Sequence, residues 1–401
     1  MKTVLDDRRW VSRYPHLGTG PVSAEPSISP AFFELEREKV FRTSWINVGS
    51  VADMPQPGDY FVREVAVLHA SILLVHGKDG VIRGFHNVCS HRGNKVVWER
   101  KGRMRGNFVC NLHCWSYGAD GELKSVPDEV NFHDFDKRQH GLKPVRTEVF
   151  CGFVFCNLSQ AEGGSLREYL GGLADVLEGA EFGQFTRTRS YEFDDHANWK
   201  IALDAQNEIY HIPFQHRIVM GALPMMNEKG LARIMDVEFF GPHSRYSVEM
   251  NPKYVGTPLA NAMMEIQCAS ESRNRLPMHG PLVDSYIVFP NFELIVSRGP
   301  TYDTYMTYNF WPLAVDRTIW ECHLYYPAAR NAAELLAEEL NSTRIRAVLD
   351  EDAAAHEAVH AGLKSRAKTH LMLQDEEIQI RHFHHIIEAR VAGAAGGAHA
   401  R

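Results

Sequence analysis

The chain has 401 residues, of which 44% are hydrophobic and 23% charged, and its formal net charge is −7. This length predicts two domains, and the composition is that of an ordinary globular protein. The acidic balance, without a long basic run, excludes a nucleic-acid-binding function. The apolar runs are too short and too polar to span a bilayer, and residues 1–13 lack the apolar stretch of a secretory signal, so we expect a cytoplasmic protein that enters no membrane.

The cysteine content argues against a disulfide scaffold. There are seven cysteines, which is an odd number and a sparse set for a chain of this length. The 21 histidines are more informative, because two of them lie at short spacings from cysteines.

The N-terminal part is predicted to form a small antiparallel β domain. An amphipathic helix is expected over residues 31–45. Short β-branched apolar runs, separated by turn signals, follow at 60–67, 71–76, 81–85, 106–109 and 149–157. We assign residues 45–158 to this domain and expect residues 1–44 to pack on the next one.

A second domain is predicted over residues 159–391, after a boundary at 161–164. Helical patterns at 165–178 and 194–204 come first. Strand-like runs follow at 286–289, 292–297, 305–312 and 318–326. Longer helices are predicted at 331–363 and 375–391. Asn331 is the expected N-cap of the first long helix. This order predicts an α+β fold with an antiparallel sheet covered by helices, and residues 392–401 are predicted to be a disordered tail.

Two pairs of potential metal ligands lie in the first predicted domain. Cys89 and His91 form one pair, and Cys110 and His113 form the other. Two thiolates and two imidazoles can hold a Rieske [2Fe–2S] cluster, with both Cys on one iron and both His on the other, or a structural zinc ion. Each pair mixes one Cys with one His, whereas zinc sites usually place both Cys in one pair, and this favours the cluster.

The residues around these pairs resemble the pattern of Rieske oxygenases, Cys-x-His-Arg-Gly followed by Cys-x-x-His-x-Trp-x-Tyr. The residues that match beyond the ligands are Arg92, Gly93, Trp115 and Tyr117. Two positions depart from the pattern, since Asn111 stands where Pro is common and Cys114 stands where Gly is common. We interpret Cys114 as a small buried residue and not as a ligand.

A second group of ligands is predicted near residue 211. Glu208 and His211 are three residues apart, so on a helix they would share one face. Pro213 is expected to end or kink that helix, and His216 lies just beyond it. Such a turn can bring both imidazoles onto one metal ion. A carboxylate from elsewhere would complete a facial triad with open positions for O2 and substrate.

The resemblance to Rieske oxygenases indicates which carboxylate this is. In that family it is an aspartate on a late helix, within the pattern Asp-x-x-x-x-Glu-x-x-Gln. Asp352, Glu357 and His360 fit this pattern, with His360 in place of the usual Gln. We therefore assign Asp352 as the third iron ligand, with Asp350 and Glu351 as the alternatives.

The resemblance extends over roughly residues 30–390 and implies the catalytic alpha subunit of a Rieske non-haem iron oxygenase, similar to the aromatic-ring-hydroxylating dioxygenases. It implies an N-terminal Rieske β domain, a C-terminal helix-grip-like catalytic domain, a [2Fe–2S] cluster and a mononuclear iron(II). It also implies a head-to-tail homotrimer. In that assembly Glu208, where many members have Asp, would bridge His113 of one subunit and His211 of the next.

Electrons must come from outside, because the chain has no dinucleotide-binding glycine pattern. The resemblance implies a separate NAD(P)H-dependent reductase, acting directly or through a ferredoxin. A basic stretch beside the cluster loops is a candidate docking surface for an acidic carrier, although a solvated turn explains it equally well. Its members are Arg92, Lys95, Arg100, Lys101, Arg103 and Arg105.

The expected substrates are O2 and a small apolar or aromatic molecule. Ring dioxygenation, monohydroxylation and oxidative N- or O-demethylation share one machinery, so the reaction stays open, as does a small second subunit. Two functions of other classes remain as alternatives. One is a Rieske electron-transfer protein without oxygenase chemistry, and the other is a zinc-stabilised binding module.

Overall fold

The computed structural model describes residues 9–159, 163–219, 224–227, 229–256, 258–259, 261–262, 265 and 272–393. The chain divides into two compact units, Phe41–Tyr169 and Met1–Val40 with Leu170–Arg401, each taken over its described residues. Half of the predicted boundary at 161–164 and residues 394–401 of the predicted tail lie outside the described residues. In the described part, no helix combines the length and the apolar character that a membrane crossing requires.

The unit Phe41–Tyr169 is built on antiparallel sheets, as its alternating apolar runs predict. The larger sheet has seven described strands, in the order Ile46–Ser50, Phe153–Asn157, Pro144–Phe150, Ile82–His86, Ala70–His76, Asp59–Val65 and Lys101–Arg103. The smaller sheet comprises Phe108–Val109, Ser116–Tyr117 and Leu123–Ser125. The predicted run 149–157 is a hairpin and not one strand, because Cys151 and Gly152 both have positive φ and form its turn.

Buried side chains from both sheets form the core of this unit. Leu73 and Phe85 of the larger sheet lie in one apolar cluster with Trp115, next to the smaller sheet. Cys89 and Cys110 belong to the same cluster, so the core anchors both cysteine-bearing loops.

The second unit contains a seven-stranded antiparallel sheet, called here the large sheet. Its described strands lie in the order Arg187–Asp195, Arg317–Tyr326, Thr304–Ala314, Phe292–Ser297, Val283–Val288, His243–Val248 and Ile234–Phe240. The bounds of Phe292–Ser297 match the prediction, and the other three predicted strands are longer than expected. The α+β class with an antiparallel sheet and covering helices is therefore confirmed.

One side of the large sheet, called here the inner face, is covered by the helix Ala332–Lys364, called here the long helix. Tyr191 donates its hydroxyl to the carbonyl of Ser342 on that helix at 3.2 Å. Cys322 and Tyr308 lie opposite Tyr191 in successive strands, and Glu293 lies opposite Tyr308. Residues directly opposite each other in an antiparallel sheet point to the same side, so these side chains share the inner face.

The helices of this unit begin and end at recognisable signals. The side chain of Asn331 accepts from the N–H of Glu334 at 2.9 Å, as expected for the N-cap of the long helix. Gly393, with a φ of 75°, follows the last helix, Ile378–Ala392. The remaining described α-helices are Trp10–Arg13, Pro30–Glu36, Leu166–Leu170, Gly172–Leu177, Trp199–Asp204 and Ile212–Gln215.

Three predicted helices are shorter than expected. The helix predicted over 31–45 is Pro30–Glu36 continued by the π-helical turn Arg37–Phe41. The one predicted over 165–178 breaks at Gly171, whose positive φ does not fit a helix. The one predicted over 194–204 starts at Trp199, because Asn198 caps it by accepting from the N–H of Lys200.

A buried ion pair ties the N-terminal segment to this unit. Lys200 and Glu36 have no exposed side-chain surface, and the Lys200 ammonium lies 2.6 Å from Glu36 Oε1. The indole N–H of Trp199 donates to Glu36 Oε2 at 3.1 Å. The helix Pro30–Glu36 is thereby fixed to the helix Trp199–Asp204.

Candidate metal centres

The first ligand pair lies on a tight loop after the strand Ile82–His86. The N–H of Cys89 donates to the carbonyl of Asn94, and the N–H of Gly93 donates to the carbonyl of Cys89 at 2.9 Å. Gly93 has a φ of 77°, which a glycine adopts without strain. This loop holds Cys89 and His91 close together on the same turn.

The second pair lies on a similar loop before the strand Ser116–Tyr117. The N–H of Cys110 donates to the carbonyl of Trp115, and the N–H of Cys114 donates to the carbonyl of Cys110 at 2.9 Å. Cys114 has a φ of 58° and is exposed, so the prediction that it is buried is wrong. The left-handed backbone at this position gives a physical reason why glycine is common there.

The two loops bring all four candidate ligands together. The thiols of Cys89 and Cys110 lie close enough for each to influence the pKa of the other. The rings of His91 and His113 have centroids 4.5 Å apart. The Nδ1 of His91 is buried and has no hydrogen-bond partner among the described residues, which fits a nitrogen that binds a metal.

Hydrogen-bond donors point at both sulfurs. The hydroxyl of Tyr117 lies 3.2 Å from Cys89 Sγ, and the amide of Asn94 lies 3.5 Å from Cys110 Sγ. Burial raises the pKa of Cys89; at Cys110 burial also opposes ionisation, but hydrogen bonds from Asn94 and from the N–H of Leu112 lower its pKa overall. Such donors tune the reduction potential of an iron–sulfur cluster.

The second predicted group also converges. One potential ligand atom each from His211, His216 and Asp352 lies within 4.8 Å of the others. The Nε2 of His216 lies 3.1 Å from Asp352 Oδ1, and that of His211 lies 3.8 Å from it. Among the described residues this is the one group spaced for a single ion. The Cys and His loops do not meet that spacing, as expected if they hold a wider two-iron cluster and not one zinc ion.

The helix Ile212–Gln215 places the two imidazoles. His211 directly precedes this helix and His216 directly follows it. The expectation that Pro213 ends or kinks a helix is wrong, because it lies in the first turn, where its missing N–H has no partner to lose. Glu208 lies in a non-helical segment after Asp204, so it does not share a helical face with His211.

A carboxylate holds each imidazole on the side away from Asp352. Glu208 Oε1 is hydrogen-bonded to Nδ1 of His211, and Glu351 Oε2 lies 2.8 Å from Nδ1 of His216. These contacts place the N–H on Nδ1 and leave each Nε2 free to bind a metal. The amide of Gln215 donates to Asp352 Oδ1 at 2.7 Å and orients that carboxylate.

The two alternative carboxylates have other partners. Glu351 accepts a hydrogen bond from Nδ1 of His216, a role that is not predicted from the sequence. Asp350 is more than half exposed and lies 4.0 Å from Arg346. Consecutive residues of a helix point about 100° apart, so Glu351 and Asp352 can contact His216 from two sides.

The electrostatics of His216 fit a metal ligand. Burial lowers its pKa, but Asp352 and Glu351 outweigh burial, so the pKa lies above its ordinary value. A metal ion bound at Nε2 would take the place of that proton. The donor set of two imidazoles and one carboxylate is that of a facial iron(II) triad.

The other two residues of the aspartate pattern tie the long helix to the segment before Trp199. His360 Nδ1 accepts from the N–H of Asn198 at 3.3 Å, and Glu357 accepts from the N–H of His196 at 3.1 Å. His360 and Glu357 therefore position the segment before Trp199 and do not belong to the group of His211, His216 and Asp352.

Comparison with known proteins gives two family matches. The model of the Rieske [2Fe–2S] domain matches residues 44–142. The model of the ring hydroxylating alpha subunit (catalytic domain) matches residues 182–393, which is more than half of the chain.

Curated relatives include oxygenase subunits of two monooxygenases. The glycine betaine monooxygenase oxygenase subunit of Chromohalobacter salexigens is 31% identical over 48% of this chain and 42% of its own length. The carnitine monooxygenase oxygenase subunit of Escherichia coli strain K12 is 36% identical over 45% of this chain and 47% of its own length. The matched part thus spans about half the length of these relatives.

Two solved structures have the same fold. The chain aligns with a quaternary ammonium Rieske monooxygenase in complex with L-carnitine at a TM-score of 0.74 and 21% identity, over 94% of this chain and 97% of that one. It aligns with naphthalene 1,2-dioxygenase from Rhodococcus sp. at a TM-score of 0.71 and 20% identity, over 94% and 95%. With the match over residues 182–393, these findings establish that the chain belongs to the ring-hydroxylating alpha-subunit family and carries a Rieske [2Fe–2S] domain.

Proposed function

We propose that the chain is the terminal oxygenase component of a Rieske oxygenase system. The observation that carries this proposal is the convergence of His211, His216 and Asp352 in a chain that also has a Rieske domain. When bound, the cluster supplies single electrons and the iron(II) supplies an O2-activating centre. A Rieske electron carrier needs no second metal group, and a zinc-stabilised module needs neither, so both alternatives leave this group unexplained.

The protein residues have defined tasks in this function. Cys89, Cys110, His91 and His113 hold the cluster. His211, His216 and Asp352 bind the iron from one side and leave the opposite side for O2 and substrate. Glu208 and Glu351 keep the ring protons on Nδ1, so the geometry does not have to be formed during turnover.

The reaction that we favour is monooxygenation of a C–H bond. One oxygen atom of O2 enters that bond, and the other leaves as water with two electrons and two protons. Where the carbon is a methyl group on nitrogen or oxygen, the hydroxylated product loses formaldehyde, which is demethylation. The curated monooxygenases at 31% and 36% identity support this choice, and the large oxygenase component of a naphthalene 1,2-dioxygenase system of Pseudomonas aeruginosa, 34% identical over 46% of this chain, keeps ring dioxygenation as the alternative.

The electron donor would be an NAD(P)H-dependent reductase, directly or through a ferredoxin. Part of the basic stretch beside the cluster already has partners, since Lys95 lies 2.5 Å from Glu64 and Arg103 lies 3.7 Å from Asp59. Arg92, Lys101 and Arg105 are exposed, and any docking of an acidic carrier would depend most on them.

We also infer a head-to-tail homotrimer. One apolar side chain next to each centre is exposed in the single chain. Leu112, which is 52% exposed, lies between Cys110 and His113, and Phe214, which is 60% exposed, lies in the helix between His211 and His216. In the proposed trimer, neighbouring subunits would cover these two side chains. Glu208 already contacts His211, and its carboxylate has lone pairs left to accept from His113 of a neighbour. The cytoplasmic location stays a prediction of the sequence.

The test is a product assay with the metal-loaded protein and a surrogate reductase. Glycine betaine, L-carnitine and naphthalene are offered in separate reactions, and mass spectrometry distinguishes demethylation, gain of one oxygen and gain of two hydroxyls. Asp352→Ala is the control, and it should abolish product formation while the cluster still accepts electrons. If the loaded wild-type chain reduced its cluster but never consumed O2 with any substrate, the chain would be a carrier and not an oxygenase.

A further inference from the structure

The inner face of the large sheet carries a buried carboxyl group, that of Glu293, which neither proposed metal centre uses. Glu293 lies in the strand Phe292–Ser297 and has no exposed surface. The hydroxyl of Ser285 donates to its Oε1 at 2.6 Å. The other oxygen, Oε2, has no hydrogen-bond partner among the described residues, and no described Lys or Arg forms an ion pair with Glu293.

A carboxyl group with an unused oxygen is a poor packing residue. Buried polar atoms in folded proteins nearly always have a partner, and those without one usually face a ligand, water or reactive group. The neighbouring Ile287, directly opposite Glu293 in the next strand, shows that an aliphatic side chain fits this part of the sheet. The acid at this position therefore requires a functional explanation.

The surroundings of Glu293 are aromatic and acidic. Tyr308 lies directly opposite it, and Tyr246 lies directly opposite Ser285, so both rings share the inner face. Burial raises the pKa of Glu293 to about 8, and the charge of Asp352 acts in the same direction. The proposed iron ligand is thus near enough to influence Glu293 electrostatically.

The charged groups that act on the neighbouring Tyr246 and Tyr308 are negative. Burial raises the pKa of Tyr308 and Tyr246 well above the ordinary value, and the nearby charged groups that add to this shift are the acids Glu293, Asp352 and Glu208. Among the described residues, no lysine or arginine is a main cause of the shift of either pKa. Aromatic faces with acidic groups and without basic ones attract cations.

We propose that Glu293 is a substrate-recognition residue and that the substrate carries a cationic nitrogen, an ammonium or protonated amine, which pairs with its free oxygen. The rings of Tyr246 and Tyr308 would contact the carbon groups around that nitrogen, and the proposed iron site would lie toward the bond to be oxidised. This inference rests on the proposed oxygenase function and narrows its substrate class. It replaces the expectation of an apolar or aromatic neutral substrate.

The competing explanation is that Glu293 is a neutral core acid held by Ser285. The chain offers a matched control for this explanation in Glu321. Glu321 is also buried, but it lies on the opposite face of the large sheet, where it accepts from the indole N–H of Trp311 at 2.9 Å. A general effect of removing a buried charge from the sheet would appear at Glu321 as well.

The experiment is a calorimetric titration of the metal-loaded full-length protein with two probes. Choline carries the cationic nitrogen, and dimethylbutanol is its neutral isostere with carbon in place of nitrogen. In the wild type, choline should bind at least about tenfold more tightly than the isostere. Glu293→Gln should weaken choline binding about tenfold or more and change binding of the isostere by less than about twofold. Glu321→Gln should change neither by more than about twofold.

Equal binding of both probes to the wild type, or unchanged choline binding in Glu293→Gln, would overturn the proposal. If Glu293→Gln does not fold, Ser285→Ala keeps the carboxyl group but removes the donor that orients it, and it should still lower the preference for choline. An unchanged preference in Ser285→Ala would then overturn it. O2-dependent oxidation of the reduced cluster in the wild type tests the oxygenase function separately, so a neutral-substrate oxygenase and a non-oxygenase give different results.

Discussion

At the scale of single residues, the support of each imidazole by a glutamate is the feature that organises the iron site. We predict that Glu351→Gln lowers iron affinity about 10- to 100-fold, because the ring proton of His216 loses its charged acceptor and the neutral amide oxygen holds it more weakly. Iron content after dialysis against a graded chelator series measures this affinity.

Asp350→Asn is the matched control for that variant. Asp350 is the neighbouring residue of the same helix, is more than half exposed and has no contact with the two imidazoles, so its variant should keep wild-type iron affinity. Equal iron loss in both variants would mean that overall acidity, and not the contact with His216, sets the affinity.

Glu293 gives a prediction about pH. Its pKa is about 8 in the folded chain and near its ordinary value of 4.5 when unfolded, so between these pH values the unfolded chain binds fewer protons than the folded one. The contribution of Glu293 to stability is therefore full below about pH 4.5 and is lost as the pH rises towards 8. Urea titrations of wild type and Glu293→Gln should show a flatter pH dependence in the variant, by a few kcal/mol at most, since one pKa unit is about 1.4 kcal/mol.

The opposite result would be parallel stability profiles for the two proteins across that range. Parallel profiles would mean that Glu293 titrates at its ordinary pKa in the folded chain and contributes nothing to the pH dependence of stability.

The sequence could predict the ligand residues but not their outer partners. His211, His216 and Asp352 follow from spacing and from a resemblance, and they meet in space. The contact of Glu351 with His216 depends on how two segments 135 residues apart approach each other, which no local pattern encodes. The sequence could not identify Glu293 for the same reason, because the lack of a partner for its Oε2 depends on how the sheet packs.

At the scale of elements, the buried pair of Glu36 and Lys200 joins two helices. Burial raises the pKa of Glu36 and lowers that of Lys200, so each charge depends on the other for compensation. We predict that Glu36→Leu alone lowers the unfolding free energy by about 3–5 kcal/mol, because it leaves the ammonium buried without its partner. Adding Lys200→Met should recover most of that loss.

Denaturant unfolding of the wild type, both single variants and the double variant measures this coupling. If the double variant lost the sum of the two single effects, the pair would contribute no interaction of its own and the helices would be joined by apolar packing alone.

The accuracy of the predicted elements follows their apolar content. The strand Phe292–Ser297 was predicted at its observed bounds, because a buried apolar run between turn signals is unambiguous. The strand Arg187–Asp195 was missed, because it is an edge strand with alternating exposed residues and few apolar ones. The spacing of Glu208 and His211 predicts a helix, but the segment that contains Glu208 is not helical. A spacing of three residues occurs in loops as well, so it does not distinguish the two.

At the scale of the whole molecule, the proposed trimer would bring two metal centres together across a subunit boundary. We predict that Glu208→Gln keeps the cluster and the iron but uncouples them, because the amide cannot accept from two imidazoles as a carboxylate does. Single-turnover experiments should then show a reduced cluster that is no longer oxidised when O2 and substrate are added. Light scattering should give a trimer for both proteins. Turnover near the wild-type level in Glu208→Gln, with iron content verified, would remove the bridge from the account.

We expect the chain to hold a two-iron cluster and one separate iron. Iron and acid-labile sulfide are therefore determined in the purified wild type and in Asp352→Ala. We predict about three irons and two sulfides per chain in the wild type, and about two irons and two sulfides in the variant. A wild type with only two irons, or a variant that keeps all three, would contradict it.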